Sequence, residues 1–140
     1  MTDAQQHAKS KILIIDDDRE LLETLSVVLA SDGCKVTCAT SANEGRSLLE
    51  GEQYDLILVD LRMPRMDGHQ FLRTARLLDP SCKVVMMSAY ATGEAVAKAE
   101  REGAFGYLIK PFKLAELQDI LRRTSRESPL FAHKAGIGNE

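Results

Sequence analysis

Five short apolar runs, each followed by a helix-length amphipathic segment, constrain this chain more than any other feature. The runs cover residues 12–15, 36–39, 56–59, 84–87 and 107–109. Four are continuously apolar rather than alternating, which is how strands read when both faces of a parallel sheet are covered. The second run is interrupted by Thr37 and falls at an edge. Helical spacing follows each run: Leu21, Leu25, Val28 and Leu29; then Leu48 and Leu49; then Phe71, Ala75 and Leu78; then Ala95, Val96 and Ala99; and last Leu114, Leu117, Ile120 and Leu121. Asp18 and Ser41 are suited to cap the first two helices, Gly33 to end the first, and Pro80 to stop the third. Five strand–helix units predict a parallel α/β sheet with right-handed crossovers. Five strands are too few for an eight-stranded barrel, so the sheet is open and doubly wound, in order 2-1-3-4-5 or a dinucleotide-type order.

At 140 residues the chain holds one ordinary domain. With 18 basic and 21 acidic residues it offers no strong basic field for nucleic acid or an anionic membrane. No apolar stretch approaches a membrane span, and the N-terminus has no apolar core of a secretory signal. Three cysteines without framework spacing fit a reducing cytoplasm. Residues 1–10 read as an extension, 11–125 as the folded domain, and 126–140 as an irregular tail in which Phe131 is the one candidate to dock.

In open parallel sheets, ligands bind beyond the carboxyl ends of the strands. Asp16, Asp17 and Asp18 follow the first strand, Asp60 the third, Ser88 the fourth, and Lys110–Pro111 the fifth. Taken singly these have bland readings: acidic residues before a helix cap it, and a lone lysine is a solvated cation. Their coincidence at strand ends does not. Carboxylates gathered from two strand ends need a cation, and a hard divalent ion with oxygen ligands, Mg²⁺ above all, supplies it. With Lys110 and Ser88 opposite, such a site can neutralise a phosphoryl group in transfer, and a carboxylate such as Asp60 can accept one covalently. Cys34 and Cys38 share a strand face but lack a histidine pair and read as buried thiols; His7, His69 and His133 form no ligand set. Met63, Met66, Met86 and Met87 read as loop and core filling.

The segments IDDDREL (15–21), VDLRMPRMDG (59–68), SAY (88–90) and YLIKPF (107–112) resemble the receiver domain of two-component response regulators, and the resemblance covers about 11–125. It implies a flavodoxin-like fold of strand order 2-1-3-4-5 with helices on both faces. It implies that Asp60 accepts a phosphoryl group from a phosphohistidine on a sensor histidine kinase or phosphotransfer protein. Mg²⁺, or Mn²⁺ in its place, would be held by Asp16, Asp17, Asp60 and the backbone carbonyl of Arg62. Ser88 and Lys110 would bind the phosphoryl oxygens, with a cis Lys110–Pro111 peptide aiming the lysine. Ser88 and Tyr107 would form the switch, Tyr107 turning inward as Ser88 moves toward the phosphate. Arg62 and Tyr90, two residues beyond Asp60 and Ser88, would tune phosphoryl lifetime by hindering water.

The expected output surface is the fourth helix, fifth strand and fifth helix, meeting a downstream protein, an output domain of the same chain, or a second copy on phosphorylation. The chain would be a cytoplasmic switch that catalyses only its own phosphorylation and dephosphorylation. GAFGYLIKPF (103–112) is similar to receivers attached to transcriptional activators, so an excised receiver of a larger regulator stands beside a stand-alone one. An Mg²⁺-dependent phosphohydrolase with an aspartyl nucleophile is the rival. Arg62 stands where such enzymes place a second aspartate, and no cap domain is in sight. A partner-binding scaffold without phosphorylation is a further rival, and the intact acidic set counts against it.

Overall fold

The first strand, β1 (Lys11–Ile15), lies inside a five-stranded parallel sheet. The protein's structure is a computed structural model that describes residues 10–65, 67–90 and 92–126. The remaining strands are β2 (Lys35–Ala39), β3 (Leu56–Asp60), β4 (Lys83–Ser88) and β5 (Gly106–Ile109), in the order β2-β1-β3-β4-β5. The helices are α1 (Arg19–Ser31), α2 (Ala42–Gly51), α3 (Gly68–Leu78), α4 (Gly93–Arg101) and α5 (Leu114–Arg126). This is the doubly wound order that the resemblance implies, and β2 is an edge strand as Thr37 indicates. The expected docking of Phe131, and most of both flanking segments, lie outside the described residues.

Strand side chains alternate between two cores. Leu13, Ile15, Ile57, Val59, Val84, Met86 and Tyr107 face one side, under Leu49 of α2, Phe71, Leu72 and Ala75 of α3, and Ala99 of α4. Ile12, Ile14, Leu56, Leu58, Val85, Met87 and Leu108 face the other, under Leu22, Leu25 and Leu29 of α1 and Leu117, Ile120 and Leu121 of α5. Because both faces are covered, β1, β3, β4 and β5 carry no polar alternation, whereas the edge strand β2 is only partly buried and alternates at Lys35 and Thr37.

The helix phases differ in detail from the sequence reading. In α1 the buried stripe is Leu22, Leu25 and Leu29, while Leu21 and Val28 sit half-buried at its margin. In α2 it is Leu49, with Leu48 only partly covered. In α3, Leu72 is fully buried whereas Leu78, in the last turn beyond the sheet, is 46% exposed. Leu114 opens α5 and is likewise exposed. An apolar stripe is wider than the contact it makes, and residues at a helix end or stripe margin overhang the sheet.

Helices α1 to α4 start at side-chain caps. Asp18 Oδ1 accepts from Leu21 N at 3.2 Å, Ser41 Oγ from Glu44 N at 3.1 Å, and Asp67 Oδ1 from His69 N at 3.0 Å. Gly68 is required by contact: a Cβ there would lie 3.2 Å from the Leu61 Cα and closer still to its side chain. The start of α3 can therefore sit against the loop that leaves β3. His69 pairs with Glu102, and Arg73 reaches the same carboxylate at 3.0 Å, tying α3 to the end of α4. Helix α4 is otherwise thinly held, for Ala99 is its one fully buried residue.

Candidate functional site

The sheet delivers the site residues to one edge. Beyond the ladder proper, Asp16 N donates to Ala39 O at 3.1 Å, Leu61 N to Met87 O at 2.9 Å, and Lys110 N to Ser88 O at 2.8 Å. Parallel pairing thus continues one residue past β1, β3 and β5, and it fixes where Asp16, Asp60 and Lys110 project. Strands β1 and β3 are neighbours whose connections leave in opposite directions, so the crevice between their ends is the switch point of the sheet.

Asp16, Asp60 and Ser88 are the buried polar or charged residues among the described ones, at 0%, 6% and 2% exposure. Burying such groups is costly unless they are paired. Lys110 Nζ donates to Asp16 Oδ2 at 2.5 Å and to Asp60 Oδ2 at 3.1 Å. The second oxygens are also engaged: Asp18 N donates to Asp16 Oδ1 at 2.9 Å, and Arg62 N to Asp60 Oδ1 at 2.8 Å. Asp17 is exposed, and one oxygen each from Asp16, Asp17 and Asp60 lie within 4.8 Å of one another. One lysine does not balance three carboxylates, and the donor set is all oxygen. That chemistry fits a hard divalent cation.

Burial pushes the Asp60 carboxyl above its ordinary value, and the Asp16 charge adds to this; the Arg62 N–H and Lys110 pull it back only in part. Burial draws the Lys110 ammonium down, but its bonds to Asp16 and Asp60 outweigh this and the net shift is upward. Lysine therefore stays a cation in the pocket. The Lys110–Pro111 peptide is cis.

Ser88 Oγ accepts from Tyr90 N at 3.0 Å, and the Tyr107 hydroxyl donates to Tyr90 O at 2.9 Å. Tyr107 is buried, and burial raises its hydroxyl's pKa. Its ring occupies the inward position that the sequence reading assigns to the phosphorylated form. The structure brings Asp16, Asp17, Asp60, Ser88 and Lys110 to one edge, with Arg62 and Tyr90 at the rim and Tyr107 buried beside Ser88. Cys34, just before β2, is buried and Cys38 half-buried against the same core; burial, with the Asp32 charge, lifts the Cys34 thiol to about 11.

Two features escaped the sequence reading. The Arg62 guanidinium stacks on the Tyr90 ring, 4.1 Å from its centroid. An apolar groove of about 530 Å³, lined by Leu21, Leu25, Val28, Lys110, Phe112 and Leu114, opens beside the pocket. Its signal was present as surplus apolar residues at the margin of α1.

A doubly wound sheet with a lysine-bridged acidic pocket at its switch point defines a class of α/β domain built to hold a divalent cation and an anionic group together. Comparison with known proteins narrows the class to one family. Residues 12–122 match the response regulator receiver domain, and the chain belongs to that family. It is 38% identical over 114 residues to the response regulator protein FleR of Pseudomonas aeruginosa, covering 81% of this chain and 24% of that protein. The chain thus spans about a quarter of the length of the curated relatives it matches. A CheY-like receiver domain protein from Methanospirillum hungatei superposes with a TM-score of 0.75 at 32% identity, over 84% of this chain and 98% of that one. A response regulator from Burkholderia pseudomallei, solved with a phosphorylated aspartic acid, a calcium ion and citrate, superposes at 0.78 and 26% identity, over 91% and 74%. No helix among the described residues is long and apolar enough to cross a membrane.

Proposed function

We propose that residues 11–125 form a phosphoacceptor switch in which Asp60 takes a phosphoryl group from a phosphohistidine of a sensor histidine kinase or phosphotransfer protein. An Asp60 carboxylate oxygen attacks phosphorus, the P–N bond breaks, and its electron pair returns to the imidazole of the donor. Lys110 and Ser88 hydrogen-bond the phosphoryl oxygens as negative charge gathers on them. Asp16, Asp17, Asp60 and the Arg62 carbonyl would hold Mg²⁺, or Mn²⁺. The ion would supply charge neutralisation between carboxylates and phosphoryl oxygens. The added charge, roughly −1.5 to −2, then draws Ser88 toward it, favours the inward Tyr107 over the outward one and alters the face of α4, β5 and α5. Thin packing of α4 supports a helix with two nearly equal positions.

The chain catalyses only its own phosphorylation and dephosphorylation, in the cytoplasm. Its partners are the phosphodonor and a downstream protein or an output domain of the same polypeptide, with a homodimer on phosphorylation. Spanning a quarter of its relatives supports the reading as the receiver of a longer transcriptional regulator, with no nucleic-acid contact by this segment.

The observation that carries the reading is the bridging of buried Asp16 and Asp60 by Lys110, with Asp17 alongside. Intact-mass analysis after treatment with a small acyl phosphate tests it. Wild type gains one phosphoryl mass in Mg²⁺ and none in chelator, and Asp60→Asn gains none. Absence of Mg²⁺-dependent uptake by wild type overturns it.

A further inference from the structure

One contact at the pocket rim takes no part in the chemistry above. Arg62 belongs to the loop between β3 and α3, Tyr90 to the connection between β4 and α4, and the guanidinium over the ring joins the two. Both residues are exposed, Tyr90 at 59%, so burial does not hold the ring in place. A cation on an aromatic face can.

The backbone of Tyr90 is where the site's bonds meet. Its N–H donates to Ser88 Oγ and its carbonyl accepts from the Tyr107 hydroxyl. At the other end, the Arg62 N–H donates to Asp60 Oδ1. The buried Tyr107 hydroxyl lies beside Ser88 and donates to the Tyr90 carbonyl, and that second bond is only as fixed as the loop that carries it. The helix that follows, α4, buries Ala99 alone and gives that loop little anchorage.

We propose that the Arg62–Tyr90 stack is a latch: Arg62 is a positioning residue that holds the β4–α4 connection where the Tyr90 carbonyl keeps Tyr107 inward before Asp60 is modified. This rests on the reading of Asp60 as phosphoacceptor and Tyr107 as switch residue. The latch biases the switch in advance, so part of the conformational change is already made. An exposed stack of this kind shifts a two-state ratio by about two- to fivefold.

The test uses the chain labelled with 3-fluorotyrosine, whose three tyrosines, Tyr54, Tyr90 and Tyr107, give three fluorine resonances. Arg62→Gln removes the guanidinium and Tyr90→Ala the ring, so each abolishes the stack while keeping every backbone group named above. Each is expected to move the Tyr107 resonance toward a solvent-accessible position by that two- to fivefold change, read by a soluble paramagnet. Tyr90→Phe keeps the ring and leaves the resonance in place, and Arg62→Lys restores part of it. The double variant Arg62→Gln/Tyr90→Ala moves it no further than either single one. Beryllofluoride with Mg²⁺ carries the variants to the same position as beryllofluoride-treated wild type. A Tyr107 resonance unmoved in both single variants, or moved additively in the double, overturns the latch while beryllofluoride binding leaves the phosphoacceptor reading standing. Wild type that binds no beryllofluoride removes that reading, and the latch with it.

Discussion

Asp60 is a residue placed against its own stability. Its carboxyl is buried beside Asp16, and the upward pKa shift means that between the ordinary and the raised value the folded chain keeps a proton that the unfolded chain releases. Wild-type stability therefore falls as pH rises through the window from the ordinary carboxylate value up to the raised one, and the cost persists at neutral pH. Asparagine keeps the shape and drops the charge. In urea unfolding without divalent ions, Asp60→Asn is expected to exceed wild type by about 1 kcal/mol at neutral pH, the gap closing as pH falls through that window. A variant less stable than wild type at neutral pH would show that the Lys110 bond outweighs burial. Arg62 and Tyr90 act at the same scale on water. Their stacked side chains stand at the rim, so Arg62→Ala and Tyr90→Ala are each expected to shorten the phosphoryl lifetime several-fold, followed as loss of labelled phosphate. Unchanged decay in both would show that neither shields the acyl phosphate.

Elements carry less ambiguity than the residues within them. Strands 1, 3, 4 and 5 were legible because full burial removes polar alternation, and α1 and α2 because Asp18 and Ser41 mark their starts. Helix phase was less legible. By spacing Leu78 joins the stripe of Phe71 and Ala75 while Leu72 lies beside it, and only packing on the sheet decides which is core. Leu72 meets the sheet and Leu78 overhangs it. Leu72→Ala is expected to cost about 2–5 kcal/mol, and Leu78→Ala within about 0.5 kcal/mol of wild type, by denaturant unfolding. Equal costs would contradict the phase of α3. The acidic pocket was legible from strand ends alone, since topology sends them to one edge. The Arg62–Tyr90 stack and the His69–Glu102–Arg73 cluster were not, because they join loops and helix ends distant in sequence whose approach no local pattern encodes.

At the scale of the whole molecule, the sheet concentrates negative charge at its carboxyl edge in a chain whose net charge is only −3. The fold tolerates this because Lys110 bridges two of the carboxylates from the far strand, yet Asp17 remains outside that pairing. A divalent ion that binds the folded pocket and not the unfolded chain must therefore stabilise the entire domain. At about ten times its Kd the gain is about 1.4 kcal/mol. For a domain of this size that is a rise of roughly 6 °C in Tm, reversed by chelator. Asp17 is exposed and caps nothing, so Asp17→Asn is expected to leave the metal-free Tm nearly unchanged while removing most of the Mg²⁺-dependent rise. Calorimetry on the two proteins separates a metal ligand from a structural residue: an Asp17→Asn domain with the full Mg²⁺ shift places the ion elsewhere, and one destabilised without metal gives Asp17 a role in the fold.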